Sequence, residues 1–437
     1  MKVILYGYCL IILIGTILLS LPAATRLPGD SNVFTAFFTA TSATCVTGLI
    51  HADTYTHWSL FGQVVILSLI QVGGIGFMTL CISIMTIAKK KIGFTSRSLM
   101  QNSVSAPHIG GMVRMTKFIL LGTLLIEGIG ALGLTAVFCP KEGLVKGIWF
   151  SIFHSISAFC NAGFDLMGGT EQFSSLTTMS GNWYLNIIIM LLIVIGGLGF
   201  IVWHDILDSK FRISKMCLHT KLVLIMTTIL IFGGALLLFL FEHNMPAYAD
   251  SSYSEQIALS LFQSVSSRTA GFNTANLAAL TESSKFLLII LMMIGGSPGS
   301  TAGGIKTTTF AILILSIITT FRDRKATEVF GRRLETYLPR KVSCIFMMYL
   351  GLSCSVSMII SRIENLPFID TLFESVSAIA TVGLSTGITP TLGVVSNSLL
   401  AFLMLFGRVG SLTMLLAFAS VKKRPASTLP LEKIQIG

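Results

Sequence analysis

The chain has 437 residues, of which 53% are hydrophobic and only 11% charged, with a mean hydropathy of +0.82. A soluble domain carries about a quarter charged residues, so this composition excludes an ordinary soluble protein and leaves an integral membrane protein. The formal charge of +11 does not point to nucleic acid, because most of the 30 lysines and arginines sit at Lys2 and in four segments near 89–117, 204–221, 322–341 and 422–433, between apolar stretches.

The first apolar stretch, about 3–21, has Lys2 before it and Ala23-Ala24 after it, the outline of a secretory signal peptide; cleavage would strip a repeat of its leading helix. A half-length amphipathic segment (31–43) follows and runs into Thr44-Cys45-Val46-Thr47-Gly48. A long apolar stretch (60–88) containing Gly73-Gly74-Ile75-Gly76 then closes the unit. The same order returns as 111–138, 147–159, Cys160-Asn161-Ala162-Gly163, and 183–203 with Gly196-Gly197-Leu198-Gly199. It returns again as 217–241, 254–267, Arg268-Thr269-Ala270-Gly271 and 284–320. The last unit is 341–361, 368–380, Ala380-Thr381-Val382-Gly383, and 394–421 with Gly407-Arg408-Val409-Gly410.

Gly48, Gly163, Gly271 and Gly383 stand 115, 108 and 112 residues apart, which divides the chain into repeats over 1–90, 91–204, 205–325 and 326–437. The eight apolar stretches mostly reach the roughly 20 residues that cross a bilayer as helix. The half-length segments are too short to span and read as re-entrant pore helices leading into extended strands, tolerable at that depth only where they line water. The expected fold is an all-α integral membrane protein of four tandem helix–pore-loop–helix repeats, with eight transmembrane helices around a pseudo-fourfold central pore. Four copies of one side-chain-free residue suit a ring of backbone carbonyls around a cation.

Alignment inside the pore segments is close. Phe38, Phe153 and Phe373 lie ten residues before their glycine and Phe262 nine, while Ser42, Ser155, Ser157, Ser264, Ser266, Ser375 and Ser377 recur at near-matching offsets. These serines are placed to hydrogen-bond behind the strands, or simply to pack as small residues do in membrane bundles. The positive-inside rule puts both termini in the cytoplasm. The opposite loops hold Asp30, Asp53, Glu142, Asp165, Glu171, Glu242, Asp250, Glu255, Glu282, Glu364 and Asp370, read either as a cation-gathering mouth or as ordinary solvated charge.

Two copies depart from the pattern. In the third, Gly295-Gly296-Ser297-Pro298-Gly299-Ser300-Thr301-Ala302-Gly303-Gly304-Ile305-Lys306 forbids a continuous helix and marks a candidate gate. The run nearly fits a phosphate-binding loop, but an isoleucine intervenes before the lysine and no strand precedes it. In the fourth, Arg408 replaces the glycine of the other copies; it reads as a cationic barrier below the ring, or as an ion pair with Glu127 or Glu374.

Eight cysteines without a C-x-x-C pair indicate neither a disulfide framework nor a zinc site, and seven scattered histidines offer no catalytic metal set, so no enzyme and no cofactor are expected. No span carries a ladder of arginines, so a voltage-gated channel is not indicated.

Together the four glycine motifs, the break at 295–304 and Arg408 resemble the Trk/Ktr/HKT superfamily of potassium transporters, most closely its bacterial KtrB-type membrane subunits, over nearly the whole chain. The resemblance implies a potassium-selective filter at the four strands, with Gly48, Gly163, Gly271 and Gly383 at the ion. Glycine at all four positions goes with potassium preference in that family. It further implies a homodimer with one pore per subunit, seated on a cytosolic ring of nucleotide-binding regulatory subunits of the KtrA type, and an intramembrane loop at 295–304 that blocks the pore. Potassium is then the transported ion, with sodium as a second candidate, and the location is the bacterial cell membrane. The competing reading is a sodium- or proton-coupled secondary transporter with alternating access.

Overall fold

The computed structural model describes residues 2–27, 32–76, 79, 112–249, 251–324, 326–335 and 337–410. Of the expected basic segment at 89–117 only 112–117 is described; the ends of the apolar stretches at 80–88 and 411–421, the tail at 422–437, Asp30 and Asp250 lie outside the described residues.

Four helices reach crossing length: α1 (Lys2–Leu19), α4 (Met112–Glu142), α8 (Leu218–Glu242) and α12 (Leu338–Glu364). Between 28 and 39% of their apolar windows is buried, so each leaves most of its apolar surface to lipid. Each leads to a shorter helix: α2 (Val33–Cys45), α5 (Leu144–Phe159), α9 (Tyr253–Ser266) and α13 (Phe368–Ala380). These four half-length helices form the heart of the molecule, and the aligned Phe38, Phe153, Phe262 and Phe373 are fully buried. Side chains start them: the Asn32 carboxamide accepts from Phe34 N–H at 2.9 Å, and the Ser252 hydroxyl from Glu255 N–H at 3.4 Å.

In the first, second and fourth copies the closing helix differs from the sequence expectation. Helix α3 (Leu60–Ile75), helix α6 (Trp183–Leu198) and helix α14 (Val394–Val409) stop at Gly76, Gly199 and Gly410, whose φ angles are 90°, 91° and 88°. Continuous helices to about 88, 203 and 421 were expected. The reason is the glycine itself, since a φ near +90° is open only to a residue without Cβ and leaves the helical path. After Gly199 the chain resumes as α7 (Phe200–Asp208), bent 89° from α6. In the third copy α10 (Glu282–Met293) and α11 (Thr307–Phe321) flank the glycine-rich break, as the composition requires. Among the described residues four helices are therefore long enough to cross a membrane, five if the bent α6–α7 pair counts as one span. A short exposed hairpin, β1 (Glu328–Val329) with β2 (Arg332–Arg333), joins α11 to α12.

Packing closes on itself. Helix α3 lies against α5, α6 against α9, α10 against α13, and α14 against α2, so the closing helix of each copy packs on the half-length helix of the next and the fourth returns to the first. Lipid is as apolar as these side chains, so close packing and hydrogen bonds hold the bundle more than a hydrophobic drive does.

Candidate functional site

The site begins where the half-length helices stop. Val46 takes the left-handed conformation (φ 58°), its N–H donating to Ala43 O at 3.1 Å and the Thr47 N–H to Ser42 O at 2.8 Å. This double cap, the Schellman arrangement, recurs with the same two distances at Asn161 (φ 59°) and Thr381 (φ 52°). The third copy is one residue shorter there, and Thr269 (φ 70°) is followed by a single Ala270 N–H to Ser266 O bond of 2.9 Å. Two residues on, Gly48, Gly163, Gly271 and Gly383 have φ of 92°, 70°, 83° and 91°. Left-handed backbone at the β-branched Val46, Thr269 and Thr381 costs on the order of 1–3 kcal/mol each, so strain gathers at equivalent points of the copies.

The four glycines meet. A Cβ on Gly48 would lie under 3.0 Å from Ala162 O, one on Gly163 from Ala270 O, one on Gly271 from Val382 O, and one on Gly383 from Thr47 O. Each glycine thus faces the carbonyl of the residue preceding the next copy's glycine, and the cycle closes. Only a side-chain-free residue admits this approach at any of the four places.

Serines fix the strands behind. Ser42 Oγ accepts from Gly48 N–H at 3.1 Å and Ser377 Oγ from Gly383 N–H at 3.0 Å. Ser157 Oγ donates instead to Phe164 O at 2.7 Å, and Ser266 Oγ does the same to Phe272 O. Ser155 and Ser264 reach the backbone of α4 and α8 at Glu127 O (2.6 Å) and Ile231 O (2.7 Å), while Ser375 Oγ finds no partner among the described residues. Gly73, Gly196 and Gly407 lie against Thr44 O, Phe159 O and Ile379 O, too close for a Cβ, so each closing helix touches the last turn of its own half-length helix.

The broken segment packs against the ends of the half-length helices, Gly303 and Gly304 lying against Ala380 O. At its base Gly295 N–H donates to Ile305 O (2.9 Å) and Thr307 N–H to Gly296 O (3.0 Å). Toward its tip Ser297 N–H donates to Gly197 O (3.0 Å), Gly299 O accepts from Phe200 N–H (2.9 Å), and Thr301 Oγ1 donates to Phe159 O (3.1 Å). Gly303 sits against Thr381 Oγ1 in the fourth strand. Of the two readings of Arg408, the ion pair with Glu127 or Glu374 does not form. Arg408 donates to Thr301 O and Gly73 O, and to Gly74 O at 3.3 Å. Glu127 accepts from Gln71 Nε2 at 3.0 Å, and the Cys160 thiol lies 3.8 Å from its other oxygen. Glu374 is held by Ser385, Thr386 and Thr389. Lys306 Nζ donates to Ala302 O at 2.6 Å and Gly303 O at 3.4 Å, so three consecutive carbonyls, of Thr301, Ala302 and Gly303, are held by two cations.

Arg268 stands in the third strand by sequence, yet its side chain reaches back to Thr227 O (3.4 Å) and Gly295 O (3.3 Å), linking that strand to the base of the break. Most acids of the expected mouth are locally bonded. Asp53 joins the first two copies by accepting from Tyr55 N–H and, across the gap, from Phe173 N–H at 3.0 Å. Glu364 caps Gly393 and Ser396, Asp370 pairs with Lys285 at 3.0 Å, and Glu142 pairs with Lys146. Burial and the nearby His57 hold His51 below the usual imidazole range, so it adds no positive charge among these acids at neutral pH.

Sequence reasoning missed Gly76, Gly199 and Gly410 as helix ends, although the pattern of paired glycine plus a third was visible. It also missed where Arg268 points, for which a strand position carries no signal.

Residues 10–428 match the family described as TrkH, cation transport protein. The potassium/sodium uptake protein NtpJ of Enterococcus hirae is 38% identical over 442 residues, covering 100% of this chain and 97% of that protein. The Ktr system potassium uptake protein B of Bacillus subtilis is 37% identical over 428 residues, covering 97% and 93%. Among solved structures, the potassium transporter TrkH from Vibrio parahaemolyticus superposes with a TM-score of 0.68 at 20% identity, over 94% of this chain and 84% of that one, a likeness of fold.

Proposed function

The chain belongs to the TrkH cation transport protein family, and from that premise we propose that it carries out potassium uptake across the plasma membrane through a channel-like pore on the axis of the four glycines. The cyclic approach of Gly48, Gly163, Gly271 and Gly383 carries this reading. An ion entering the axis exchanges water for carbonyls of Thr44 to Gly48, Cys160 to Gly163, Arg268 to Gly271 and Ala380 to Gly383, and strained, capped strands hold those carbonyls without reorganising. One glycine per strand instead of two gives fewer defined sites than a T-V-G-Y-G filter. Inward movement of each charge gains roughly 2.3 kcal/mol per 100 mV of membrane potential, and no bond is made or broken.

Below the filter the segment from Gly295 to Lys306 acts as the gate, and Arg408 latches it while placing a positive charge in the ion's path. Each copy contributes two membrane-crossing elements, the second kinked at glycine, with both termini cytoplasmic. The functional unit is a homodimer on a KtrA-type nucleotide-binding ring; the names of the Bacillus relatives speak of a Ktr system, and the exposed basic hairpin at 328–333 supplies a docking surface. Sodium, paired with potassium in the name of the Enterococcus relative, is the candidate second ion.

The test is potassium and sodium flux in liposomes with Gly48→Ser. Its Cβ would meet Ala162 O, so the potassium-to-sodium flux ratio is expected to fall about tenfold, equivalent to ~1.4 kcal/mol. An unchanged ratio and rate would sink the filter.

A further inference from the structure

Each half-length helix carries one buried polar residue at an equivalent place. Nine residues before the glycine stand Thr39, His154 and Glu374, and eight before it in the shorter third copy stands Gln263; none is more than 1% exposed. His154 donates from Nδ1 to Phe150 O at 2.8 Å, which leaves Nε2 as an acceptor, and Nε2 takes the Leu166 N–H at 3.4 Å. The Gln263 amide, with its oxygen turned to the loop, accepts from Thr274 N–H at 3.1 Å and Ala275 N–H at 3.3 Å. Glu374 accepts from Thr386 N–H at 2.9 Å, Ser385 Oγ at 2.6 Å and Thr389 Oγ1 at 2.7 Å. Leu166, Thr274 and Thr386 each lie three residues past their glycine. An imidazole, an amide and a carboxylate thus hold the same backbone N–H in three copies.

The first copy makes its link from the other side. Thr39 is too short to reach and its Oγ1 has no partner among the described residues. His51, three residues past Gly48, turns back instead, its Nδ1 meeting Thr35 Oγ1 at 3.4 Å. The strands past the glycines belong to no helix or sheet, so these side chains stand in for the ladder that would otherwise fix them.

We propose that His154, Gln263 and Glu374 are positioning residues that set the spacing of the strands past the glycines, and so determine which cation the ring accepts. The proposal rests on the reading of the ring as the conduction path. Simple satisfaction of buried polar groups predicts effects on folding alone, whereas positioning predicts effects on ion choice in folded protein. Glu374, with three partners, should matter most.

The experiment measures potassium and sodium flux of the full chain in liposomes, with potassium KM and maximal rate, for Glu374→Leu, Glu374→Gln, Gln263→Leu and, as a variant that spares the helix, Thr389→Val. Glu374→Leu is expected to lower the potassium-to-sodium ratio at least about fivefold and to raise KM more than it lowers the rate, as loss of the acceptor for Thr386 N–H, Ser385 and Thr389 would. Glu374→Gln keeps an acceptor for Thr386 N–H and should stay within about twofold of the parent, with Gln263→Leu and Thr389→Val in between. A parent-like ratio in Glu374→Leu, or in Thr389→Val should the leucine variant not fold, overturns the proposal. So does a Glu374→Gln ratio as low as that of the leucine variant, which would make charge the cause. Gly48→Ser, run alongside, separates the failures: if it alone shifts the ratio, the brace fails and the filter stands; if neither does, the filter reading falls.

Discussion

Arg408 is a cation with no carboxylate partner among the described residues, resting on the backbone carbonyls of Thr301, Gly73 and Gly74. A half-buried guanidinium is tolerable on such terms because its planar fork reaches several oxygens at once, which a lysine ammonium on a flexible stem cannot do as well. Arg408→Ala is therefore expected to free the segment at Thr301 and raise basal potassium flux on the order of tenfold, with Arg408→Lys intermediate, in cells that lack other potassium uptake. Equal flux in all three proteins would rule out a latch. Repetition made this residue legible in the sequence, since an arginine stood where three copies had glycine. Its partners were not legible, because backbone carbonyls leave no letter to read, and the carboxylates Glu127 and Glu374 supplied only the alternative to a barrier. His154, Gln263 and Glu374 were hidden for a related reason: position repeats while residue type does not.

The broken segment is the element proposed to change shape when the pore opens. Its ties run to Gly196, Gly197, Leu198 and Phe200 of the second copy, to Phe159 at the end of α5, to Arg268 at its base and to Arg408 of the fourth, all of them hydrogen bonds. Such bonds are worth about 1 kcal/mol each, so a modest pull from outside can exchange one arrangement for another. Deleting Ser300–Gly303 should raise flux in the absence of any partner; a fall or no change in a folded, membrane-inserted protein would remove the segment from the gate. The order of elements was readable from hydropathy and glycine spacing. The ends of α3, α6 and α14 were not, because apolar residues continue past Gly76, Gly199 and Gly410 and hydropathy does not register a change of backbone handedness. The 89° bend after α6 shows that an unbroken apolar run need not be an unbroken helix.

At the scale of the molecule, the proposed cytoplasmic face is the one the basic loops would share. The hairpin at 328–333 exposes Arg332 and Arg333, and opposite charge on a partner would steer docking there. Replacing both arginines with glutamate is expected to weaken stimulation by a co-expressed nucleotide-binding partner about tenfold while leaving basal flux unchanged, read as potassium-dependent growth and uptake. Stimulation as strong as in the parent would place the docking surface elsewhere.

The ring closes between its first member and its last, Gly383 lying against Thr47 O. Synthesis proceeds from the N-terminus at about 5–20 residues per second, so the first strand waits on the order of half a minute for its final neighbour. During that interval Thr47 and Gly48 have one side uncovered within a bilayer that offers no hydrogen bonds of its own. Assembly of the axis is then the closing event of biogenesis, and a chain that stops short of the last quarter leaves an open wedge instead of a smaller pore.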